Sequence, residues 1–139
     1  MPAAHSADGA GVLPALHISD VSSRAVCLAI TCHDPDVPRD RRPDGNFDHW
    51  VVWNIPVDKS VIADASDSGG VVGRNTFGGN DWVPAGPPPG SGPHRYYFTA
   101  YALDSLLDLP QTTTRAQLEA AMDGHVIESA QIMGTYERH

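Results

Sequence analysis

Two carboxylates, two imidazoles and a phenol occur in three short segments of the sequence. The segments are Asp34-Pro35-Asp36-Val37-Pro38, the residue His49, and His94-Arg95-Tyr96. A proline fixes its own φ and pushes the preceding residue into an extended conformation, so the two aspartates are held in a defined relation. Imidazole N–H groups and a tyrosine hydroxyl can together hold a phosphate, sulfate or carboxylate. These residue types therefore indicate a small polar pocket for an anion.

Each segment also has a structural explanation when it is taken alone. Aspartates cap turns by accepting hydrogen bonds from nearby backbone N–H groups. A histidine at the start of a strand, such as His49, more often makes its hydrogen bonds within the protein at the edge of the core than it binds a ligand. His94 is expected at the rim of a pocket. The combination of segments favours the functional interpretation. Arg95 would point away from His94 on a strand, and we expect it to pair with an aspartate such as Asp36.

A fourth segment, Gly86-Pro87-Pro88-Pro89-Gly90, would supply the wall of such a pocket. A glycine before prolines leaves a free backbone N–H and no side chain, so a ligand can approach closely. The prolines remove donors and stiffen the wall. The surrounding stretch 73–92 has almost no periodicity, and Phe77 and Trp82 predict that it is a packed loop.

Composition narrows the class of protein and its partners. With 139 residues the chain is of single-domain size, and its net charge of -8 disfavours nucleic acid as a partner. The basic run Arg39, Arg41 and Arg42 is expected to be a solvated loop, with anion steering as the alternative. No apolar run reaches the length of a membrane span, so we expect a cytoplasmic protein without stable membrane insertion.

The cysteines Cys27 and Cys32 are expected to be free thiols. If they share one strand, they lie on opposite faces and about 16 Å apart at the rise of a strand. A disulfide requires Cα atoms within about 7 Å. This spacing fits a reducing compartment.

The elements that must position the pocket are mostly short strands. Strands are predicted over 24–31, 49–55, 96–103 and 125–136, and a helix is predicted from Thr114, where Gln117 completes a capping box, to Gly124. The 13 glycines and 12 prolines favour many turns. We predict a mostly β fold with minor α, as a β-sandwich or sheet with one or two short helices. Residues 1–11 are expected to be a disordered leader to one domain over 12–139.

The motif order resembles the phosphatidylethanolamine-binding protein family, in particular its bacterial YbhB/YbcL-type, Raf-kinase-inhibitor-like branch. The motifs are Asp-Pro-Asp-x-Pro, His-Trp, Gly-Arg-Asn-x-Phe-Gly, Gly-Pro-Pro-Pro-Gly, His-Arg-Tyr and Tyr-Ala-Leu-Asp. The resemblance implies a large central antiparallel sheet packed against a smaller one, with an anion cavity at one edge. By motif position, the cavity would be lined by Asp34, Asp36, His49, Gly86, Pro88, His94 and Tyr96.

Two departures from the family pattern bear on these expectations. Trp82 stands where the family commonly has tyrosine, so that edge of the pocket would be reshaped. The segment around Leu13-Pro14-Ala15-Leu16 is only weakly similar to a family motif near the N-terminus, and the segment before it looks shorter than in the family. A missing strand would leave an open sheet edge that a second subunit could cover, giving a homodimer.

The resemblance and the residues together favour a binding protein. We expect the ligand to be phosphate or a phospholipid head group such as phosphorylethanolamine, with a regulatory and non-catalytic role and no metal or cofactor. Affinity should then rise as the pH falls and the histidines gain protons. One alternative is a kinase or protease inhibitor that acts through a protein partner around the pocket. Another is a hydrolase that uses the aspartates and histidines.

Overall fold

The computed structural model describes residues 16–40, 42–84, 86 and 92–136, except for the side chains of residues 135 and 136. The described chain is mostly β, with one short helix, as expected. Its elements in chain order are β1 (Leu16–His17), β2 (Cys27–Asp34), β3 (Phe47–Ile55), β4 (Val61–Ile62), β5 (Val71–Val72), β6 (His94–Leu103), α1 (Arg115–Met122) and β7 (Val126–Tyr136). The expected leader and the start of the expected domain, up to residue 15, lie outside the described residues.

Two antiparallel sheets organise the chain. The larger has five strands in the order β5-β3-β2-β6-β7, and the smaller consists of β1 and β4. The central strands β2 and β6 pair without interruption from Cys27↔Leu103 to His33↔Tyr97. The expected large sheet with a smaller companion is confirmed.

The larger sheet carries an apolar cluster on each of its two faces, so its central strands are buried on both sides. One apolar cluster contains Cys32, Trp50 and Tyr96 together with Leu16 and Ile62 of the small sheet. The other lies beneath α1 and contains Cys27, Ala29, Val51, Trp53, Leu103, Leu118 and Met122. Cys27 and Cys32 are therefore free thiols on opposite faces, as the spacing predicted.

The helix α1 begins and ends where the sequence indicated. Thr114 is its N-cap and forms the predicted capping box with Gln117, while Leu118 and Met122 are buried. Gly124 follows with a φ of 81°, a left-handed conformation that glycine adopts without strain. No helix among the described residues has the length and apolar character needed to cross a membrane.

The structure moves three boundaries near the expected pocket. β2 runs on to Asp34, β3 begins at Phe47, and β6 begins at His94 rather than at Tyr96. His94 is consequently a buried strand residue and not the rim residue that was expected. It is the first residue of β6 to pair with β7, opposite Tyr136.

The strand β7 forms one edge of the larger sheet. It pairs with β6 along its length and has no neighbour among the described strands on its other side. The side chains of Val126, Ile132 and Met133 on this strand are largely exposed. An exposed edge strand of this length presents unpaired backbone groups that another chain can use.

Candidate functional site

The adjacent ends of β2 and β6 bring Asp34 and His94 together. His94 Nδ1 lies 2.6 Å from Asp34 Oδ2, and both side chains are buried. The other carboxylate oxygen, Oδ1, accepts the Asp36 backbone N–H at 2.8 Å. Both oxygens of Asp34 are thus engaged, and the pair fixes the plane of the His94 ring.

The environment of Asp34 has two opposing effects on its ionisation. Burial raises the pKa of Asp34, because a charged carboxylate is disfavoured away from water. The hydrogen bonds from His94 and from the Asp36 N–H act in the opposite direction. The carboxylate is therefore held in a buried position by specific partners, and the loss of either partner would leave it poorly compensated.

Asp36 is engaged by Arg95, as expected. Its Oδ1 accepts from Arg95 Nη2 at 2.8 Å, and its Oδ2 accepts from Nε at 2.9 Å and from the Arg95 backbone N–H at 2.7 Å. These hydrogen bonds from Arg95 lower the pKa of Asp36. The pair ties the turn after β2 to β6, which gives Asp36 a positioning role at the site.

His49 reaches the site because β3 contains a β-bulge. Cys32 pairs with Trp50 and His33 with Asp48, so His49 has no residue opposite it on β2. A bulge re-aims the side chain of the extra residue. The ring of His49 consequently lies 5.2 Å from that of Tyr96 and 5.8 Å from that of Trp82, measured between centroids.

The hydrogen bonds and the burial of His49 determine the protonation state of its ring. Its Nδ1 lies 2.6 Å from the carbonyl oxygen of Val83, and the Val83 N–H donates back to the His49 carbonyl at 3.0 Å. Its Nε2 is buried and has no hydrogen-bond partner among the described residues. Burial lowers the pKa of His49 to about 4, so the ring is neutral at pH 7.

The floor of the site is aromatic. Tyr96 is fully buried and its ring meets His49 edge to face. Trp82 is also buried, and its indole stacks on Phe98 with centroids 5.9 Å apart. Trp82 also contacts the ring of His49, and its expected effect on that edge of the pocket stays a prediction.

Two further aromatic residues lie near the site, and neither was assigned to the pocket from the sequence. Phe47 lies 4.7 Å from His49 between centroids, and Phe77 meets Phe47 edge to face at 4.7 Å. Phe77 is 77% exposed, whereas Trp82 of the same loop is buried. Phe47 lies two residues before His49, which places both side chains on one side of the strand. This spacing is the feature of the sequence from which Phe47 could have been predicted as a neighbour of His49.

Asn75 organises the loop that carries Phe77 and Val83. Its side chain donates to Asp81 Oδ1 at 2.8 Å and to the Asp81 carbonyl at 3.0 Å. Its Oδ1 accepts the Gly79 N–H at 3.1 Å. The Thr76 hydroxyl accepts the Asp48 N–H at 2.7 Å and so ties the loop to β3 beside His49. The described part of this stretch is a packed loop, as predicted.

The remaining expected residues are placed less completely. Gly86 is exposed, and Pro88 lies with residues 87–91 outside the described part of the chain. Arg39 and Arg42 donate to the carbonyl groups of Pro43 and Asn46, as a solvated local loop would. Within the described ranges, no three His, Cys, Asp or Glu side chains are grouped as metal ligands.

Comparisons with known proteins agree with the motif order. The family model described as phosphatidylethanolamine-binding protein matches residues 1–137. A UPF0098 protein of Chlamydia trachomatis is 43% identical over 138 residues, which cover 99% of this chain and 91% of the relative. A UPF0098 protein of Pyrococcus abyssi is 38% identical over 145 residues, covering 99% of this chain and 79% of the relative.

Solved structures show the same fold. A crystal structure of a phosphatidylethanolamine-binding protein homologue from Chlamydia trachomatis superimposes with a TM-score of 0.94 at 43% identity, covering 99% of this chain and 89% of that one. The crystal structure of YbcL from Escherichia coli gives a TM-score of 0.84 at 28% identity, covering 95% and 84%. The chain therefore belongs to the phosphatidylethanolamine-binding protein family.

Proposed function

We propose that the protein binds a small phosphate-like anion, either free phosphate or a phospholipid head group such as phosphorylethanolamine. The observation that carries this proposal is the group of buried polar side chains Asp34, His94, His49 and Tyr96 at one end of the sheet. Buried polar groups are costly unless they are hydrogen-bonded. A ligand at His49 Nε2 would compensate an atom that has no partner among the described residues.

The family name supports the choice of ligand. Members are named for a lipid whose head group is a phosphate ester of ethanolamine, and the family model matches residues 1–137 of this chain. The net charge of -8 would repel anions at long range, so binding would depend on local donors. Hydrogen-bond donors inside a site of low dielectric interact more strongly than they do in water.

We propose that the role is regulatory and not catalytic. A general base must be free to take a proton from the reacting group. Asp34 is bonded to His94 and to the Asp36 N–H, and Asp36 is bonded to Arg95. Neither carboxylate is therefore available to a ligand as a base without first losing a partner, which supports binding over hydrolysis.

A second candidate function, the docking of a protein partner beside the site, is favoured by Phe77. Its ring is 77% exposed at the tip of a loop that Asn75 holds in place, and it contacts Phe47 next to His49. Exposed aromatic residues on ordered loops are common anchors of protein interfaces. If a kinase or protease docks in this way, a binding assay should show that Phe77→Ser no longer binds it and that His94→Ala still does. The reverse pattern would assign the partner to the pocket.

A thermal-shift titration tests the anion proposal. Phosphorylethanolamine and inorganic phosphate would each be added to the wild type, to His94→Ala and to the surface control His125→Ala. Ligand at about 100 times its dissociation constant adds roughly 2.7 kcal/mol of stability, or several degrees for a domain of this size. We expect this shift in the wild type and in His125→Ala, and its loss in His94→Ala. An equal shift in His94→Ala, or none in the wild type at millimolar ligand, would contradict the proposal.

A further inference from the structure

His49 is fixed in one tautomer by its contact with Val83. A carbonyl oxygen can only accept a hydrogen bond, so Nδ1, at 2.6 Å from it, must carry the ring proton and donate. In a neutral imidazole the other nitrogen is then an acceptor. Nε2 is therefore a buried lone pair with no partner among the described residues, on a side chain that is only 4% exposed.

A buried acceptor in an anion site has a chemical consequence. A lone pair repels the oxygen of a fully deprotonated anion, whereas it attracts an oxygen that carries a proton. A phosphate monoester has a second pKa of about 6, so a protonated form of it is accessible near neutral pH. Inorganic phosphate keeps at least one proton throughout the range from pH 6 to pH 8. Sulfate has nearly the same shape but carries no proton in this range.

We propose that His49 is a specificity residue whose Nε2 accepts a hydrogen bond from a protonated oxygen of the bound anion. The site would thereby select phosphate and phosphate monoesters over sulfate. This inference rests on the proposed anion-binding function and names the protonation state of the ligand that the site takes. The single proton is shared between the ligand oxygen and Nε2, and no covalent bond forms or breaks.

The groups around His49 agree with a neutral ring. Desolvation is the largest cause of its low pKa, and the nearby rings of His33 and His94 act in the same direction. The hydrogen bond to Val83 and the carboxylate of Asp48 oppose it. Asp48 is itself bonded to Arg115 at 2.6 Å, which reduces its influence on the ring. The contacts from Tyr96, Trp82 and Phe47 are made by aromatic rings.

Isothermal titration calorimetry with inorganic phosphate, phosphorylethanolamine and sulfate, at equal ionic strength and at pH 6 and pH 8, tests the inference. We expect phosphate to bind at least about tenfold more tightly than sulfate at pH 6. With phosphorylethanolamine we also expect binding at pH 8 to take up about one proton per ligand, measured from the heat in buffers of different ionisation enthalpy, because a phosphate monoester is then fully deprotonated. Inorganic phosphate still carries one proton at pH 8 and should bind without this uptake.

The matched variant is His49→Asn. Its amide nitrogen can replace Nδ1 as the donor to Val83, while the acceptor at the position of Nε2 is removed. We expect this variant to lose the preference for phosphate over sulfate. When it binds phosphorylethanolamine at pH 8, it should take up less than half the number of protons that the wild type takes up. A variant that keeps both properties would overturn the inference and assign the proton to another group.

The wild type alone also decides the question, should the variant fold poorly. Equal affinity for sulfate and phosphate at pH 6 would overturn the inference and leave the anion-binding function standing. Binding of neither anion would remove the proposed function itself. The ¹⁵N chemical shifts of the His49 ring give an independent check, since Nε2 must show the shift of an unprotonated nitrogen in the free protein.

Discussion

At the scale of residues, the site depends on which partner each polar atom has. The sequence predicted Asp34, Asp36, His49, His94 and Tyr96 as pocket residues because their motifs carry the family pattern, and this assignment stays a prediction. It also predicted the pairing of Arg95 with Asp36, since neighbouring residues on a strand point to opposite faces. The carbonyl of Val83 could not be identified as the partner of His49, because backbone acceptors leave no mark in a sequence. The neutral state of His49 follows from that contact and from burial.

The low pKa of His49 predicts how stability depends on pH. The folded-state pKa of about 4 lies below the unfolded value of 6.5, so only the unfolded state gains this proton between those limits. The free energy of unfolding therefore contains a term from His49 that is fully present above pH 6.5. This term is lost as the pH falls towards 4, which lowers the free energy of unfolding by roughly 3 kcal/mol in total. Urea unfolding of the wild type and His49→Asn from pH 7.5 to 4.5 would measure it. We expect the wild type to lose more stability than the variant, and parallel curves would contradict this assignment.

The buried pair of Asp34 and His94 predicts an asymmetry between two substitutions. His94→Ala leaves a buried carboxylate without its ring partner and should lower the free energy of unfolding by about 3–5 kcal/mol. Asp34→Asn keeps an acceptor for His94 and removes the charge, so its cost should be smaller. Urea denaturation at pH 7 compares the two. A larger loss in Asp34→Asn would mean that the carboxylate charge itself stabilises the fold.

At the scale of elements, the strands and the helix were largely predictable, whereas the bulge in β3 was not. The capping box of Thr114 and Gln117 and the stop at Gly124 are local signals, and α1 follows them. The run Trp50-Val51-Val52-Trp53 is apolar at every position because both faces of β3 are buried. Such a run has no alternation that could reveal a shift of register. The displacement that turns His49 into the site is therefore set by the pairing of β3 with β2.

The loop held by Asn75 should behave as one unit. Asn75→Ala removes the acceptor of the Gly79 N–H and the donor to Asp81, and we expect a loss of roughly 1–3 kcal/mol of stability. The loop also carries Val83, so the variant should bind phosphate more weakly than wild type. Arg74→Ala, at an exposed position beside Asn75, serves as the control. Hydrogen exchange would follow the Gly79 amide, and unchanged protection in Asn75→Ala would show that other contacts hold the loop.

At the scale of the whole molecule, the class and the two-sheet architecture followed from composition, motif order and short strands. The two-residue strands β1, β4 and β5 were missed, since a pair of valines or a leucine beside a histidine carries no periodicity. The arrangement of the small sheet is determined by contacts distant in sequence, such as Leu16↔Ile62. Contacts of that kind depend on the assembled sheet and are not encoded in any one segment.

The expected homodimer stays a prediction. Among the described strands, β7 is the longer of the two edges of the large sheet at which a second copy can pair. Ile132 and Met133 are largely exposed on this strand, which has no described neighbour on its outer side. Light scattering should give twice the chain mass of 14.8 kDa if a second copy covers this edge. Met133→Lys should then shift the protein towards the monomer. A monomer at high micromolar concentration would contradict the prediction.

The most direct test of the central claim is a histidine-selective NMR titration with phosphorylethanolamine. The chain has seven histidines, and His17 and His125 are exposed positions that serve as internal controls. The account predicts saturable changes in the ring signals of His49 and His94, with the controls unchanged. Changes confined to His17, His125 or the backbone of the Arg39 loop would show that the anion binds at the surface, and they would contradict the assignment of the buried site.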